Sequence, residues 1–240
     1  YSVAWIDCLQ KGKNFGRSIL MLGEHAKFSE LTEKQKAHPL ALPSKKQIKL
    51  PFFLPSIILN KITVKLFNTL FYNKNLKKEI DNVVSYEPFF YPLDGVLDWN
   101  KGYSRKGFIQ YQFVIPLEEK KGLIDILKKI SDNGIGSFLA VLKVFGKQDS
   151  LISFPMEGFT LALDIPVRKN LFPFLDELDE LVLKSGGRLY MSKDARMKPQ
   201  ILRQGYPRLD EFKAIVKKYD PEGKLHSLLS DRLLLTSESK

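Results

Sequence analysis

Apolar and polar residues alternate along three stretches of the chain. Over 108–115, Ile109, Tyr111, Phe113 and Ile115 share one parity, and Phe108, Gln110, Gln112 and Val114 the other. Successive side chains on a strand point to opposite faces, so this is a strand with one apolar and one mixed face, bounded by Gly107 and Pro116. Over 137–145 the same rule puts Phe138, Ala140, Leu142 and Val144 on one face and Leu139, Val141, Lys143 and Phe145 on the other. Over 159–165 it separates Phe159, Leu161, Leu163 and Ile165 from Thr160, Ala162 and Asp164. Shorter strands are expected at 1–6, 18–22 and 189–191.

Helical spacing predicts helices over 122–131, 208–219 and 225–235, and over 169–184, where Ser185-Gly186-Gly187 stops the element. Ile58, Ile62, Leu66 and Leu70 recur every four residues, so the apolar stretch 50–72 is expected to turn helical from Ile57. Residues 27–49 are lysine-rich with Pro39 and Pro43 and read as loop, 73–81 are polar, and 88–99 are densely aromatic. Strands in hairpin-like succession with helices between some of them indicate an α+β fold, an antiparallel sheet flanked by helices with a helical C-terminal segment. Three strands that each carry a mixed face imply one sheet, packed on helices on one side and turned toward a ligand or another domain on the other.

Composition narrows this. At 240 residues and 44% hydrophobic, the chain can bury a core as one large domain or two modest ones. The single Cys8 excludes an intrachain disulfide and a multi-cysteine zinc site, and suits a reducing compartment. His25, His38 and His226 are scattered, so no metal is expected. The longest apolar run, 50–59, is about half of a membrane span and contains Pro51 and Pro55. The net charge of +11 is dispersed over short clusters, Lys45-Lys46, Lys77-Lys78, Lys120-Lys121 and Lys217-Lys218, without a nucleic-acid motif. That pattern fits a solvated basic surface, an anionic membrane surface or a phosphate-bearing substrate, and nucleic acid is not expected as a partner. The chain opens at Tyr1 without a methionine, directly in a strand, and is read as part of a longer protein.

Several residues carry candidate chemistry. Gln110 and Gln112 project two amides about 7 Å apart from one strand face, either toward a polyhydroxylated ligand or simply toward solvent. Lys143, flanked by apolar neighbours on its face, either snorkels to water or enters a pocket as a cationic donor. In Gly186-Gly187-Arg188-Leu189-Tyr190-Met191-Ser192-Lys193, two glycines permit a tight reversal before Tyr190 and Lys193; a glycine cap followed by a basic surface strand is the plainer reading. No nucleotide-binding glycine fingerprint, phosphate loop, nucleophile elbow or His-Glu-x-x-His motif occurs.

Taken in order, Tyr-Ser-Val-Ala-Trp-Ile-Asp at 1–7, Gly-Glu-His-Ala at 23–26, Pro-Leu-Asp at 92–94 and Trp-Asn at 99–100 form a pattern. So do Gln-Tyr-Gln-Phe-Val-Ile-Pro at 110–116, Ser-Phe-Leu-Ala-Val-Leu-Lys at 137–143, Ser-Phe-Pro at 153–155 and Gly-Gly-Arg-Leu-Tyr at 186–190 with Lys193. The pattern resembles the C-terminal half of FAD-linked oxidases of the vanillyl-alcohol-oxidase superfamily, and among them those that oxidise a pentose on a prenyl phosphate. The resemblance implies FAD as cofactor, held mainly by an N-terminal domain outside this chain. It implies a substrate-binding cap over residues 1–186 and a segment over 187–240 that returns to the FAD domain. The fragment alone is then expected to be inactive.

The resemblance also implies roles. Gln110, Gln112, Val141, Lys143 and Phe145 match substrate-pocket positions, with Trp5, Phe90 and Leu93 as a looser pocket wall. Lys193 matches a catalytic lysine between flavin and substrate, where a cation supports charge on the reduced ring, and Tyr190 a flavin-side position. Thr160 and Ala162 line the same strand where asparagine and cysteine are usual, so the thiol that covalent inhibitors attack is missing here while catalysis is expected to persist. The implied substrate is a sugar or prenyl-phosphate sugar, with a short-chain reductase completing an epimerisation; the stretch 50–72 is either a peripheral contact with the inner face of the membrane or a helix packed on the sheet. An aldonolactone or alditol oxidase with a soluble substrate, and a non-catalytic basic module, are the competing readings.

Overall fold

The computed structural model describes residues 1–42, 47–75 and 77–236. Pro43 and the Lys45-Lys46 cluster lie outside the described residues. The strands are β1 (Ser2–Ile6), β2 (Ser18–Leu22), β3 (Ile48–Lys49), β4 (Val96–Leu97), β5 (Phe108–Ile115), β6 (Ala140–Phe145), β7 (Gly158–Pro166) and β8 (Arg188–Leu189). The helices are α1 (Glu33–Ala37), α2 (Lys61–Asn73), α3 (Tyr86–Phe90), α4 (Lys120–Asp132), α5 (Leu171–Lys184), α6 (Pro199–Gly205), α7 (Leu209–Tyr219) and α8 (Leu228–Arg232). Six strands form one sheet in the order β2-β1-β6-β7-β5-β8, antiparallel at every pairing. β3 and β4 make a short parallel ladder apart from it. The fold is α+β, an antiparallel sheet with flanking helices.

The apolar parities become the core. Tyr111, Phe113 and Ile115 of β5 meet Leu161, Leu163 and Ile165 of β7. Helix α4 lays Leu123, Ile126, Leu127 and Ile130 on them, and α5 adds Leu171, Phe174, Leu175, Leu178 and Val182. Those spacings are the stripe an amphipathic helix turns toward a sheet. The segment after α5 joins the same core: β8 pairs with β5, and Ile201, Leu202, Tyr206 and Leu233 are buried in the cluster.

Several boundaries differ from the sequence expectation, each for a local reason. β6 begins at Ala140 rather than 137, because Ser137 Oγ donates to Leu139 O at 2.6 Å and accepts from Asp164 N at 3.2 Å, holding 137–139 off the ladder. α5 starts at Leu171 because Asn170 is left-handed, φ 63°. β8 is Arg188–Leu189, since the chain then bends into a turn over Met191–Lys193. α8 is confined to Leu228–Arg232, starting where Ser227 caps the Ser230 amide. α1 interrupts the expected loop over 27–49, because Thr32 and Gln35 form a capping box. α3 and α6 are short and were not expected.

Helix α2 starts at Lys61, where Asn60 Oδ1 accepts from the amides of Ile62 and Thr63. Its packed side is Val64 and Asn68, with Phe71 against Trp5 and Phe67 against Phe138. Asn68 Nδ2 donates to the buried Asp7, which also pairs with Arg17 at 2.7 Å. The four-residue stripe faces outward: Ile62 is 79% exposed, Leu66 58% and Leu70 63%. Among the described residues no helix is long and apolar enough to cross a membrane.

Candidate functional site

The face of the sheet opposite α4 and α5 collects the mixed parities. Register sets them in rows. Trp5, Val141, Ala162 and Gln112 are successive partners across β1, β6, β7 and β5. A parallel row runs Lys143, Thr160, Val114 and Arg188 across β6, β7, β5 and β8. Gln110 and Asp164 pair on the other side of the first row. The methyl of Ala162 is thus the low floor of a polar basin, with Gln112 and Val141 as its neighbours and Lys143 one row away.

Hydrogen bonds hold the basin in shape. Gln112 Nε2 donates to Thr160 Oγ1 at 3.0 Å, and Thr160 Oγ1 donates to Phe113 O at 2.8 Å. Gln110 Nε2 donates to Asp164 Oδ1 at 3.0 Å. Both glutamines spend one amide hydrogen on a neighbouring strand, which fixes their planes and leaves the amide oxygens to accept from a ligand.

The segment after β8 closes one side. Gly186 adopts φ +67°, and a Cβ on Gly187 would collide with the carbonyl oxygen of Val114, so the two glycines let the chain reverse onto β5. Tyr190 N then donates to Gln112 O at 2.9 Å. The Tyr190 ring stacks on Phe154 at 4.4 Å, and Phe154 meets Phe145 edge-on at 5.9 Å. These three rings form an aromatic wall.

Lys193 ends the following turn and is half-buried. Burial pulls its ammonium below the ordinary lysine range and Lys143 adds repulsion, while Asp164 works the other way. Burial raises the Asp164 carboxyl, opposed by the Gln110 hydrogen bond and by Lys193. Lys143, Lys193 and Asp164 therefore share one electrostatic environment, though Lys143 itself is solvent-exposed. Gln110, Gln112, Tyr190, Lys193, Asp194 and Arg196 line a small cleft at this edge.

The turn that carries Lys193 is anchored from below. Asp194 accepts from the amides of Arg196 and Met197 and pairs with Arg232 at 2.7 Å. Arg196 reaches Asp179 of α5 at 2.6 Å, and Asp179 Oδ1 also accepts from Tyr111 Oη at 3.0 Å.

Not every candidate lies in the basin rows. Phe90 packs edge-on to Tyr1 at 4.9 Å, just before β1, and Leu93 sits in the turn Pro92–Gly95 that follows α3. A separate cavity of about 400 Å³ is lined by Ser56, Lys61, Lys106, Gly134 and Arg168, and no candidate residue borders it. No group of three His, Cys, Asp or Glu among the described residues is placed to hold a metal. Sequence reasoning passed over Asp164, Phe154 and Arg196. The signal for Asp164 was present, since it shares the parity of Thr160 and Ala162, and Phe154 lies in the Ser-Phe-Pro block at 153–155; Arg196 gave none, because its partner Asp179 lies 17 residues away on α5.

No protein-family model matches the chain. It is 36% identical over 238 residues to the decaprenylphosphoryl-beta-D-ribose oxidase of Mycolicibacterium smegmatis, covering 98% of this chain and 51% of that protein. It is 28% identical over 242 residues to an "uncharacterized protein in mprA 5'region" of Streptomyces coelicolor, covering 97% of this chain and 65% of that protein. The chain spans about half of the first relative and less than two thirds of the second. Over nearly its whole length this chain resembles half of a decaprenylphosphoryl-beta-D-ribose oxidase, and with it the FAD-linked oxidases its motifs pointed to.

Proposed function

We propose that this chain is the C-terminal, substrate-binding part of an FAD-dependent oxidoreductase that oxidises a secondary alcohol of a prenyl-phosphate-linked sugar to a ketone. The observation that carries this reading is the convergence of Gln110, Gln112, Lys143 and Lys193 on one open sheet face, in a chain 36% identical to an oxidase of such a sugar. Residues 1–186 would form the sugar-binding part, and 187–240 the segment that returns to an FAD-binding domain. A short-chain reductase acting on the ketone would complete an epimerisation.

The residues present fit a flavin edge. Lys193 is a half-buried cation with no ion pair among the described residues, and Tyr190 offers a ring fixed by Phe154. A flavin held there by Lys193 and Tyr190 would supply the two-electron acceptor for oxidation of the carbinol carbon. Lys193 would place positive charge where negative charge develops, and Gln110 and Gln112 would orient the sugar through their amide oxygens. Lys143, exposed at the mouth, would meet the phosphate. Phe145, Phe154 and Tyr190 would exclude water from one side, and Ala162 and Val141 would leave room for the ring. The substitution of small, neutral Thr160 and Ala162 would leave these contacts intact.

The test is the full-length protein. It is expected to purify with flavin absorbance and to be bleached anaerobically by a prenyl-phosphoryl pentose, whereas the 240-residue chain alone stays colourless. A well-folded full-length protein without flavin absorbance would sink the reading. Bleaching by free alditols, with none by the prenyl-linked sugar, would replace it with a soluble-substrate oxidase.

A further inference from the structure

We propose that the cavity between the start of α2, the turn after α4 and the end of β7 binds the phosphate group of a membrane lipid, with Lys61, Lys106 and Arg168 as its cations. It shares no lining residue with the cleft at Lys193, and it does not depend on the oxidase reading.

The cavity holds about 400 Å³, the size of a small-molecule site. Three cations line it, and no aspartate or glutamate does. Among the described residues none of the three forms an ion pair. Two of them are held by one turn. Arg168 Nη2 donates to Asn133 O at 3.3 Å. The Lys61 side chain crosses Gly134, where a Cβ would stand 3.1 Å from Lys61 Cδ and 3.6 Å from its Nζ. The third cation follows a strained residue: Ser104 has φ 63°, and its Oγ accepts from Lys106 N at 3.3 Å. Ser104 is 5% exposed, and among the described residues its hydroxyl hydrogen has no acceptor. Burial pulls the Arg168 guanidinium below its ordinary range, and no acid opposes that. Like charges gathered without a counter-ion repel one another, and an anion between them removes the penalty. The first amides of α2 are already taken by Asn60, so the side-chain cations carry the attraction.

The rest of the lining decides which anion fits. Val64, Ile135 and Ile165 are buried in the wall, with Leu59 and Val167 beside them. At the edge Ile57 is 80% exposed, and Ile62, one turn into α2, is 79% exposed. A bare phosphate gains nothing from apolar walls. A phosphate ester with apolar chains satisfies both halves, its anion on the cations and its chains along Ile57 and Ile62.

The experiment titrates the full-length protein by calorimetry with dihexanoylphosphatidic acid below its micelle concentration. Dihexanoylphosphatidylcholine, whose choline offsets the phosphate, glycerol 3-phosphate and inorganic phosphate run beside it. The phosphatidic acid should bind, and Lys106→Gln with Arg168→Gln should weaken it about 10- to 100-fold, as the loss of hydrogen bonds from charged groups does. Lys120→Gln with Lys121→Gln removes the same charge from exposed positions on α4 outside the cavity, and should leave binding unchanged. The soluble phosphates and the phosphatidylcholine should each bind about 10-fold more weakly or worse, having lost the apolar or the ionic half. No binding of phosphatidic acid would overturn the site. Equal losses in the two double variants would overturn it in favour of diffuse surface charge. A soluble phosphate that matches the lipid would replace the lipid by a soluble ester, and phosphatidylcholine that matches it would leave an apolar groove alone. Melting checks the fold; where the double variant does not fold, Lys106→Gln alone serves, and unchanged binding there would overturn the site. Whether the protein carries flavin bears only on the oxidase reading, so the two can fail separately.

Discussion

Arg196 donates from Nη2 to Oδ1 of Asp179 at 2.6 Å, with the arginine 9% and the aspartate 1% exposed. The arginine lies three residues beyond Lys193, and the aspartate lies on α5, beneath the sheet. The pair therefore ties the turn that presents Lys193 to the core. Burial raises the Asp179 carboxyl, and the Arg196 hydrogen bond and charge oppose that. Arg196→Leu should leave a buried carboxylate without its cation and cost about 3–5 kcal/mol of stability. Denaturant unfolding of the full-length protein checks it, and an unchanged midpoint would contradict the anchoring role.

Lys193→Ala should slow flavin reduction about 10²- to 10³-fold, the usual cost of losing one preorganised charge-stabilising group. Lys143→Ala, at the exposed mouth, should act mainly on KM. Stopped-flow reduction and steady-state kinetics on the full-length variants separate the two. Equal effects on both parameters in both variants would remove the division of labour.

The lysine pair also predicts a pH dependence. Burial and Lys143 both lower the Lys193 ammonium, so its positive charge is lost at a lower pH than that of an ordinary lysine. The reduction rate should fall as pH rises through that point. Lys143→Ala removes a like charge, so the falling limb should move to higher pH. Asp164→Asn removes the opposing carboxylate, so the limb should move to lower pH. Rate–pH profiles of the two variants that shift in the same direction would rule out this electrostatic arrangement.

An interfacial role for 50–72 requires apolar side chains open to solvent beside lysines. Phe52 is 63% exposed, Ile57 80% and Ile62 79%, with Lys49, Lys61 and Lys65 exposed among them. We propose that this surface touches the membrane. Replacing the three lysines by glutamine should reduce co-sedimentation with anionic vesicles and weaken its salt dependence, since each contributes about 1 kcal/mol that salt screens. Unchanged co-sedimentation in the triple variant, with the flavin retained, would refute the contact.

The strands were readable because their parity is strict. β5 was bounded correctly by Gly107 and Pro116, and its apolar parity is the core. The four-residue stripe on α2 identified the helix, but not which side packs. There Asn68 is fully buried because Asp7, 61 residues away in sequence, accepts its hydrogen bond. α3 and α6 are too short for a period to register. At the site, spacing picked out Gln110, Gln112 and Lys143, on the two strands that flank β7, whereas Asp164 looked like an ordinary outward residue until register set it against Gln110.

Cys8 lies under the sheet just beyond β1, 4% exposed, with burial pushing its thiol up to about 12. It is the sole cysteine of these 240 residues, and Ala162 puts a methyl rather than a thiol on the ligand face. Within this stretch of chain a sulfhydryl reagent therefore has one target, and reaches it only when the core opens. Alkylation of Cys8 then keeps time for that opening: its rate measures how often the sheet parts from what covers it, and ligands that tighten the fold should slow the clock.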